Sequence, residues 1–317
     1  MNIQEKLLSF LGEEAIVGID IDQDCVRVAS VSLKDNGKVA LNQLGSLEYE
    51  LGSSDQTISS SIKKLWRTQQ IKTRTVHACL RSSSLISKYF NYPELAEQEV
   101  ELALLLEAEQ VFQKPPEDLF IDWHLHNSSD KAHNKESSQA EGILVAALAK
   151  DVNRQLSILE MADLYPVALD VGCMAVANLF IALNSRLKSE NVCLLDIGSN
   201  SADITILSED SHIYPSTIHS KSAVWGDNID YLISYIIDVL RYHQFKLHKK
   251  PVREVILTGI LSTDTKFQKK LKKAIGLPLE TWDPLESSNL ELNGVLDKKQ
   301  INGAAMSVCL GLALRRE

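Results

Sequence analysis

Val17-Gly18-Ile19-Asp20-Ile21-Asp22-Gln23-Asp24-Cys25-Val26-Arg27-Val28 reads as strand, tight turn, strand, and Leu194-Leu195-Asp196-Ile197-Gly198-Ser199-Asn200-Ser201-Ala202-Asp203-Ile204-Thr205 repeats the pattern with Asp196 over Asp20. Alternating apolar residues flank a short polar turn in both copies, the signature of a β-hairpin. A duplicated hairpin, each copy led by a carboxylate, predicts a fold of two related α/β halves facing a common cleft.

Turns of this kind aim backbone N–H groups outward as an anion-binding nest, and the leading carboxylate can hold a magnesium ion through water. The second copy suits that task, because Gly198 lets backbone approach closely while Ser199, Asn200 and Ser201 offer small donors. The first copy suits it poorly. Asp22, Gln23 and Asp24 stand where a phosphate loop needs glycine and hydroxyls, so three carboxylates, with Asp20, crowd one turn. Like charges about 4 Å apart near a protein surface repel by roughly 4 kcal/mol before screening.

Working outward, the strand-like runs 15–21, 26–33 and 39–49 precede a helical pattern over 57–66 and a strand over 75–80. From about residue 83 the character changes: strand 85–92, helix 97–111, strands 119–126 and 142–149, and helix 152–162. The polar stretch 127–140 between the last two strands reads as a mobile loop. The second half restarts with strand 167–169, helix 175–183 and the hairpin at Asp196, then a long helix carrying Ile229, Leu232, Ile233, Ile236, Ile237 and Leu240 at helical spacing. Strand 254–259, helix 264–274, strand 279–282 and closing helix 303–314 complete it. The expected domains are 1–82 (first half), 83–165 (inserted α+β subdomain) and 166–317 (second half).

The 317 residues, with a formal charge of −9, are enough for two domains or one duplicated one, and the acidic balance argues against wrapping nucleic acid. Lys269, Lys270, Lys272 and Lys273 are expected on a solvated helix face. The five cysteines, Cys25, Cys79, Cys173, Cys193 and Cys309, sit mostly in apolar segments without paired spacing, which points to a reducing compartment. No apolar run reaches a membrane span, and Met1 to Leu11 reads as an amphipathic helix best packed on its own domain.

Other motifs resolve to simpler readings. Asp20, Asp22 and Asp24 alternate like a calcium loop, but Cys25 stands where glycine is required and Val31 where a bidentate Glu belongs. His124, His126 and His133 read as surface histidines, Arg241, Tyr242 and His243 as a helix C-terminus, and Asp283-Pro284 as a turn. In helix 97–111, Leu102, Leu105, Leu106 and Val111 are expected to pack inward, leaving Glu101, Glu107 and Glu109 for a partner peptide.

The ordered motifs Gly18-Ile19-Asp20-Ile21, Glu97 to Leu106 running into Glu107-Ala108-Glu109-Gln110, Pro166 to Asp170, Leu195 to Gly198, Ile256 to Gly259, Trp282-Asp283-Pro284 and Gly311 to Arg315 resemble the PilM family across nearly the whole chain. PilM proteins are actin-like cytoplasmic components of type IV pilus assembly, related to the cell-division protein FtsA, and the compact form here looks most like the MshI variant of mannose-sensitive haemagglutinin (MSHA) pili. The resemblance implies an actin-like, ribonuclease H-like duplicated α/β fold with an inserted α+β subdomain. It implies ATP between two phosphate loops and an adenosine loop, with capture of the N-terminal cytoplasmic tail of the membrane protein PilN by a groove involving the insert. It also implies contact with other pilus platform proteins, a place at the inner face of the bacterial inner membrane reached through partners, and room for self-association.

Carried over, the cofactor-binding positions are Asp20, Asp22, Gln23, Asp24, Asp196, Gly198, Ser199, Asn200, Ser201, Gly226 and Gly259, with Asp20 and Asp196 facing magnesium. Departures weaken that carry-over: Asp22 replaces a glycine, Ile260 a second glycine, Arg27 a lysine, and no long helical insertion follows Gly226. The expectation is therefore a scaffold with weak or no ATP and magnesium binding; the alternative is an active ATP-dependent enzyme of the actin and sugar-kinase superfamily.

Overall fold

A computed structural model describes residues 16–34, 38–93, 95, 97–126, 139–184, 191–208, 212–220, 222, 225–293 and 301–315. The expected helix at Met1 to Leu11, most of the 127–140 loop, and His133 lie outside them. In chain order the main elements are β1 (Ile16–Ile21), β2 (Cys25–Leu33), β3 (Val39–Glu48), α1 (Asp55–Thr68), β4 (Thr75–Cys79), β5 (Ile86–Pro93), α2 (Glu97–Phe112), β6 (Leu119–Leu125), β7 (Gln139–Leu148), α3 (Ala149–Met161) and β8 (Tyr165–Asp170). There follow α4 (Gly172–Leu183), β9 (Val192–Ile197), β10 (Ser201–Leu207), β11 (Ile213–His219), α5 (Ile229–Arg241), β12 (Glu254–Gly259), α6 (Thr265–Ile275), β13 (Leu279–Thr281), β14 (Leu290–Leu292) and α7 (Ser307–Ala313).

Two sheets organise these elements, one in the order β14-β3-β2-β1-β4-β8 and one in the order β13-β12-β9-β10-β11-β5-β7-β6. Each quoted hairpin lies in its own sheet, β1–β2 in the first and β9–β10 in the second, so the two turns belong to opposite halves. β9 and β10 are buried along their whole length, which is why β9 reads as a continuous apolar run.

The two sheets share a pair of helices. In α4, Leu179 and Leu183 pack with the first sheet's Ala29, Val31 and Leu41, while Val176 and Phe180 pack with Leu194 and Ile256 of the second. α7 divides its side chains the same way, Cys309 and Leu310 toward one sheet and Val308 and Leu312 toward the other. A helix packed between two sheets must be apolar on both of the faces it presents to them. The outer face of the first sheet is covered by Ile58, Ile62, Leu65 and Trp66 of α1 with Ile158 and Leu159 of α3. The outer face of the second sheet is covered by Leu232, Ile233 and Ile236 of α5 with Phe267 and Leu271 of α6.

Local chemistry fixes the ends of the helices. Ser54 accepts from the Thr57 amide at 3.2 Å to open α1, and Asp264 accepts from Lys266 and Phe267 at 2.8 and 3.1 Å to open α6. α6 closes on Gly276 at φ +67, the left-handed conformation glycine adopts freely. Its lysines are exposed, as expected.

Strands β5, β7 and β6 extend the second sheet, joined to it by the pair Ser216 with Lys88 between β11 and β5. α2 covers their face through Val100, Leu104 and Ala108, one residue every turn. This corrects the sequence expectation for that helix: Leu102, Leu106 and Val111 are exposed, and Leu105 is half-buried. Glu107 is engaged by Lys88 and Tyr92 of β5, so it is committed to contacts within the chain.

Candidate functional site

The first turn spends its donors on itself. The Asp22 amide donates to the Cys25 carbonyl at 2.8 Å, the Gln23 amide to Asp22 Oδ1 at 2.8 Å, and the Tyr49 hydroxyl to the carbonyls of Asp22 and Cys25. The amides of Asp22 and Gln23, which an anion nest would aim outward, are thus already bonded within the turn. The second turn is closed by the Gly198 amide on the Ser201 carbonyl at 2.9 Å and held from behind by Trp225, whose Nε1 donates to the Gly198 carbonyl. The two turns meet where Ser199 Oγ donates to Asp22 Oδ2 at 3.4 Å.

Arginines knit this meeting point together. β4 runs parallel to β1 with Cys79 beside Asp20, so the chain leaving β4 carries Arg81 into the cleft. Its Nε and Nη2 donate to Asp20 Oδ1 and Oδ2 at 2.9 and 3.1 Å, and its Nη1 reaches Ser201 Oγ at 3.2 Å and Asp203 Oδ2 at 3.5 Å. Arg27 adds a second cation, with Nη1 3.7 Å from Asp20 Oδ2 and 3.5 Å from Asp22 Oδ2. Burial alone would raise the Asp20 carboxyl; the facing Arg81, then Arg27, hold it below its ordinary value instead.

Asp196 lies on the far side of the same cluster and behaves differently. Burial pushes its carboxyl up to about 7, the nearby Asp203 and Asp20 charges adding to the shift while Arg81 opposes it. Asp203 is raised as well, again chiefly by burial, although Thr217 Oγ1 donates to it at 2.7 Å. Gly259 at φ +81 backs directly onto Asp196, since a Cβ there would fall 2.5 Å from its Oδ1. Among the described residues no group of three or more His, Cys, Asp or Glu side chains is disposed to hold a metal ion.

Two facing acidic hairpins on paired sheets, with two apolar helices shared between them, form the frame against which relatives can be compared. A family model described as type IV pilus assembly protein PilM matches residues 18–220, more than half of the chain. The chain belongs to the PilM family. Among solved structures, a PilM–PilN type IV pilus biogenesis complex is similar at 21% identity and TM-score 0.74, covering 95% of this chain and 98% of that one. A protein of Bacteroides thetaiotaomicron with an actin-like ATPase fold and unknown function is similar at 15% identity and TM-score 0.50, covering 88% and 95%. No curated protein sequence matches. The fold of this PilM-family chain is therefore actin-like.

The structure gathers the expected cofactor-binding residues unevenly. Asp20, Asp22, Ser199 and Ser201 meet through Arg81, Arg27 and one another, and Gly198 and Gly259 back onto the same cluster. Asn200 is turned into the fold, its carbonyl accepting from the Ser220 amide at 2.6 Å. Gly226 is exposed in a short turn, Gly226–Asn228, that leads directly into α5. Asp24 is half-buried, and burial together with the Asp22 charge raises its carboxyl. Gln23 is exposed and lines an opening beside the cluster, which Asp22 and Arg81 also reach.

That opening is a cavity of about 460 Å³ between α1 and α3 on the outer side of the first sheet, walled by the first turn, Ser53 and Ile58 of the α1 region, the Arg81 to Ser83 linker, and α3. Asp151 of α3 accepts from Ser82 and Ser84, holding the linker against the helix. Arg154 on its rim pairs with Asp55 at 2.7 Å.

Sequence reading passed over Arg81 and Asp203, and the available signal was positional. An arginine two residues beyond a buried strand that pairs with the Asp20 strand must arrive near Asp20. The histidines also differ from expectation. His124 is exposed as predicted, but His126 stacks on His212 at 4.5 Å in an aromatic cluster with Tyr89 and Tyr214. The long helix α5 ends at Arg241 with Tyr242 as its C-cap, as expected, and His243 is buried against Tyr214 in the π-turn that follows. All five cysteines are buried and free.

Proposed function

We propose that this PilM-family chain is an assembly scaffold: an actin-like module at the cytoplasmic face of a bacterial inner membrane that captures the N-terminal cytoplasmic tail of a PilN-like membrane protein. Through that partner it joins the platform of a type IV pilus of the MSHA type. No helix of the described residues is long and apolar enough to cross a membrane, so attachment is assigned to the partner.

The cavity between α1 and α3 carries this reading. Its volume of about 460 Å³ falls within the range of ligand clefts, and it sets the exposed Leu51 beside Gln23, Ser83 and Arg154. Such a lining gives an extended segment an apolar seat and polar side chains for its backbone groups. The similar structure of a PilM–PilN complex supports the choice of partner.

The nucleotide cleft is degenerate in this reading. Magnesium at Asp20 has to displace the two-pronged Arg81 contact, and a phosphate at the first turn meets crowded carboxylates and amides already bonded. An active ATP-dependent enzyme would need that turn open to phosphate.

The test is fluorescence anisotropy with a labelled peptide of the cytoplasmic tail of the PilN-like protein from the same organism. Saturable binding is expected, with at least a tenfold loss in Ser83→Trp, which fills the cavity. Equal binding by the variant, or none by the native chain, would refute the cavity assignment.

A further inference from the structure

We infer that Arg81 is a built-in cation that occupies the position a divalent metal would take between the two acidic turns, latching the halves together without nucleotide. The inference rests on reading the first turn as a degenerate phosphate loop, and it is independent of whether the α3 cavity binds a tail.

The geometry is that of a bridge. One edge of the guanidinium takes both oxygens of Asp20, on the first sheet, and the remaining nitrogen reaches Ser201 and Asp203, on the second. A planar fork matched to a carboxylate is the strongest form such a contact takes. The Asp20 and Asp203 side chains are 2% and 3% exposed, and Arg81 is 16% exposed. Desolvated carboxylates from two halves need a positive charge between them.

Space for that charge is provided specifically. Gly172 opens α4 beside the bridge, where a Cβ would lie 2.2 Å from Asp203 Oδ2 and 3.6 Å from Arg81 Nη1. Arg27 stands 3.7 Å from the same Asp20 oxygen that Arg81 Nη2 holds, so a divalent ion at Asp20 would face two guanidinium groups. These residues do not fit a magnesium site. They fit an arginine that has replaced one.

Two measurements on the full chain test this: paramagnetic resonance of Mn²⁺ as the probe ion, and thermal unfolding with and without Mg²⁺ and ATP. The native chain is expected to show no saturable Mn²⁺ binding into the millimolar range and no shift with Mg²⁺ and ATP. Arg81→Ala is expected to unfold several degrees lower in chelator and to recover part of that loss with Mn²⁺, which enters the vacated place. Arg81→Lys should fall between, because a single ammonium cannot span both halves.

If Arg81→Ala does not fold, the double variant Arg81→Met with Asp20→Asn decides. The Asp20 charge leaves with its cation, so it should fold, stand above Arg81→Met alone, and ignore Mn²⁺. Saturable Mn²⁺ or Mg²⁺–ATP binding by the native chain that Arg81→Ala weakens would overturn the inference. So would a native midpoint in Arg81→Ala, or a double variant no more stable than Arg81→Met alone.

Discussion

The indole Nε1 of Trp225 donates to the carbonyl oxygen of Gly198 at 3.1 Å, tying the second turn to the segment that leads into α5. Trp225 is 2% exposed and packs in the core of the second half, so the hydrogen bond is anchored by a side chain with nowhere else to go. Trp225→Phe keeps most of the packing and leaves a carbonyl short of its donor, at a cost of about 1–3 kcal/mol. Denaturant unfolding should show that loss, and amide exchange should quicken at Ser199 to Ser201 more than elsewhere.

Asp196 predicts a pH dependence of definite sign. Its folded carboxyl keeps a proton up to about 7 against an ordinary value of 3.8. Between those values the folded state binds more protons than the unfolded one, so this group's contribution to stability falls as pH rises and is fully lost above about 7. Asp196→Asn removes the titration. The variant should melt higher than the native chain at pH 8, with a gain that shrinks steadily toward pH 5; a gain that grows with acidification would contradict the assignment.

The two shared helices meet backbone to backbone. A Cβ at position 311 would fall 1.9 Å from the Ala175 carbonyl oxygen, and one at position 18 would fall 2.0 Å from that of Cys309. Neither neighbour is a flexible side chain, so α4 and α7 must part in the first case, and β1 and α7 in the second. Gly311→Ala should cost upward of about 2 kcal/mol, as severe overpacking does, and the clearest reading is a fall in thermal midpoint with soluble yield.

Helix α2 offers a paired contrast. Leu104 is fully buried between Val100 and Ala108, whereas Leu106 is 49% exposed. Leu104→Ala should cost about 2–5 kcal/mol in denaturant unfolding, and Leu106→Ala about 0.5 kcal/mol or less. Reversal of that order would restore the face first expected from sequence.

That helix also illustrates what the amino-acid order can convey. Leu102, Ala103, Leu104, Leu105 and Leu106 are consecutive, so an apolar stripe can be drawn along several faces and local periodicity does not choose among them. The hairpins at Asp20 and Asp196 were legible because alternation and turn chemistry are local and each copy corroborates the other. Strands β11 and β14 were not, since Ile213-Tyr214-Pro215-Ser216-Thr217 and the three residues from Leu290 become strands through their partners. Arg81 was hidden for the same reason on a larger scale: its partner Asp20 lies 61 residues away and is reached only when β4 takes its place beside β1.

The placement of β14 and α7 bears on the order in which the molecule can be made. β14 extends the first sheet at β3, and Leu285, Leu290, Met306, Cys309 and Leu310 close the core around Ala29, Val31 and Leu41. During synthesis the first sheet therefore leaves the ribosome long before the residues that seal it. Until α4 and then α7 follow, that apolar face stays open, and it waits longer than the face of the second sheet, which α7 also closes.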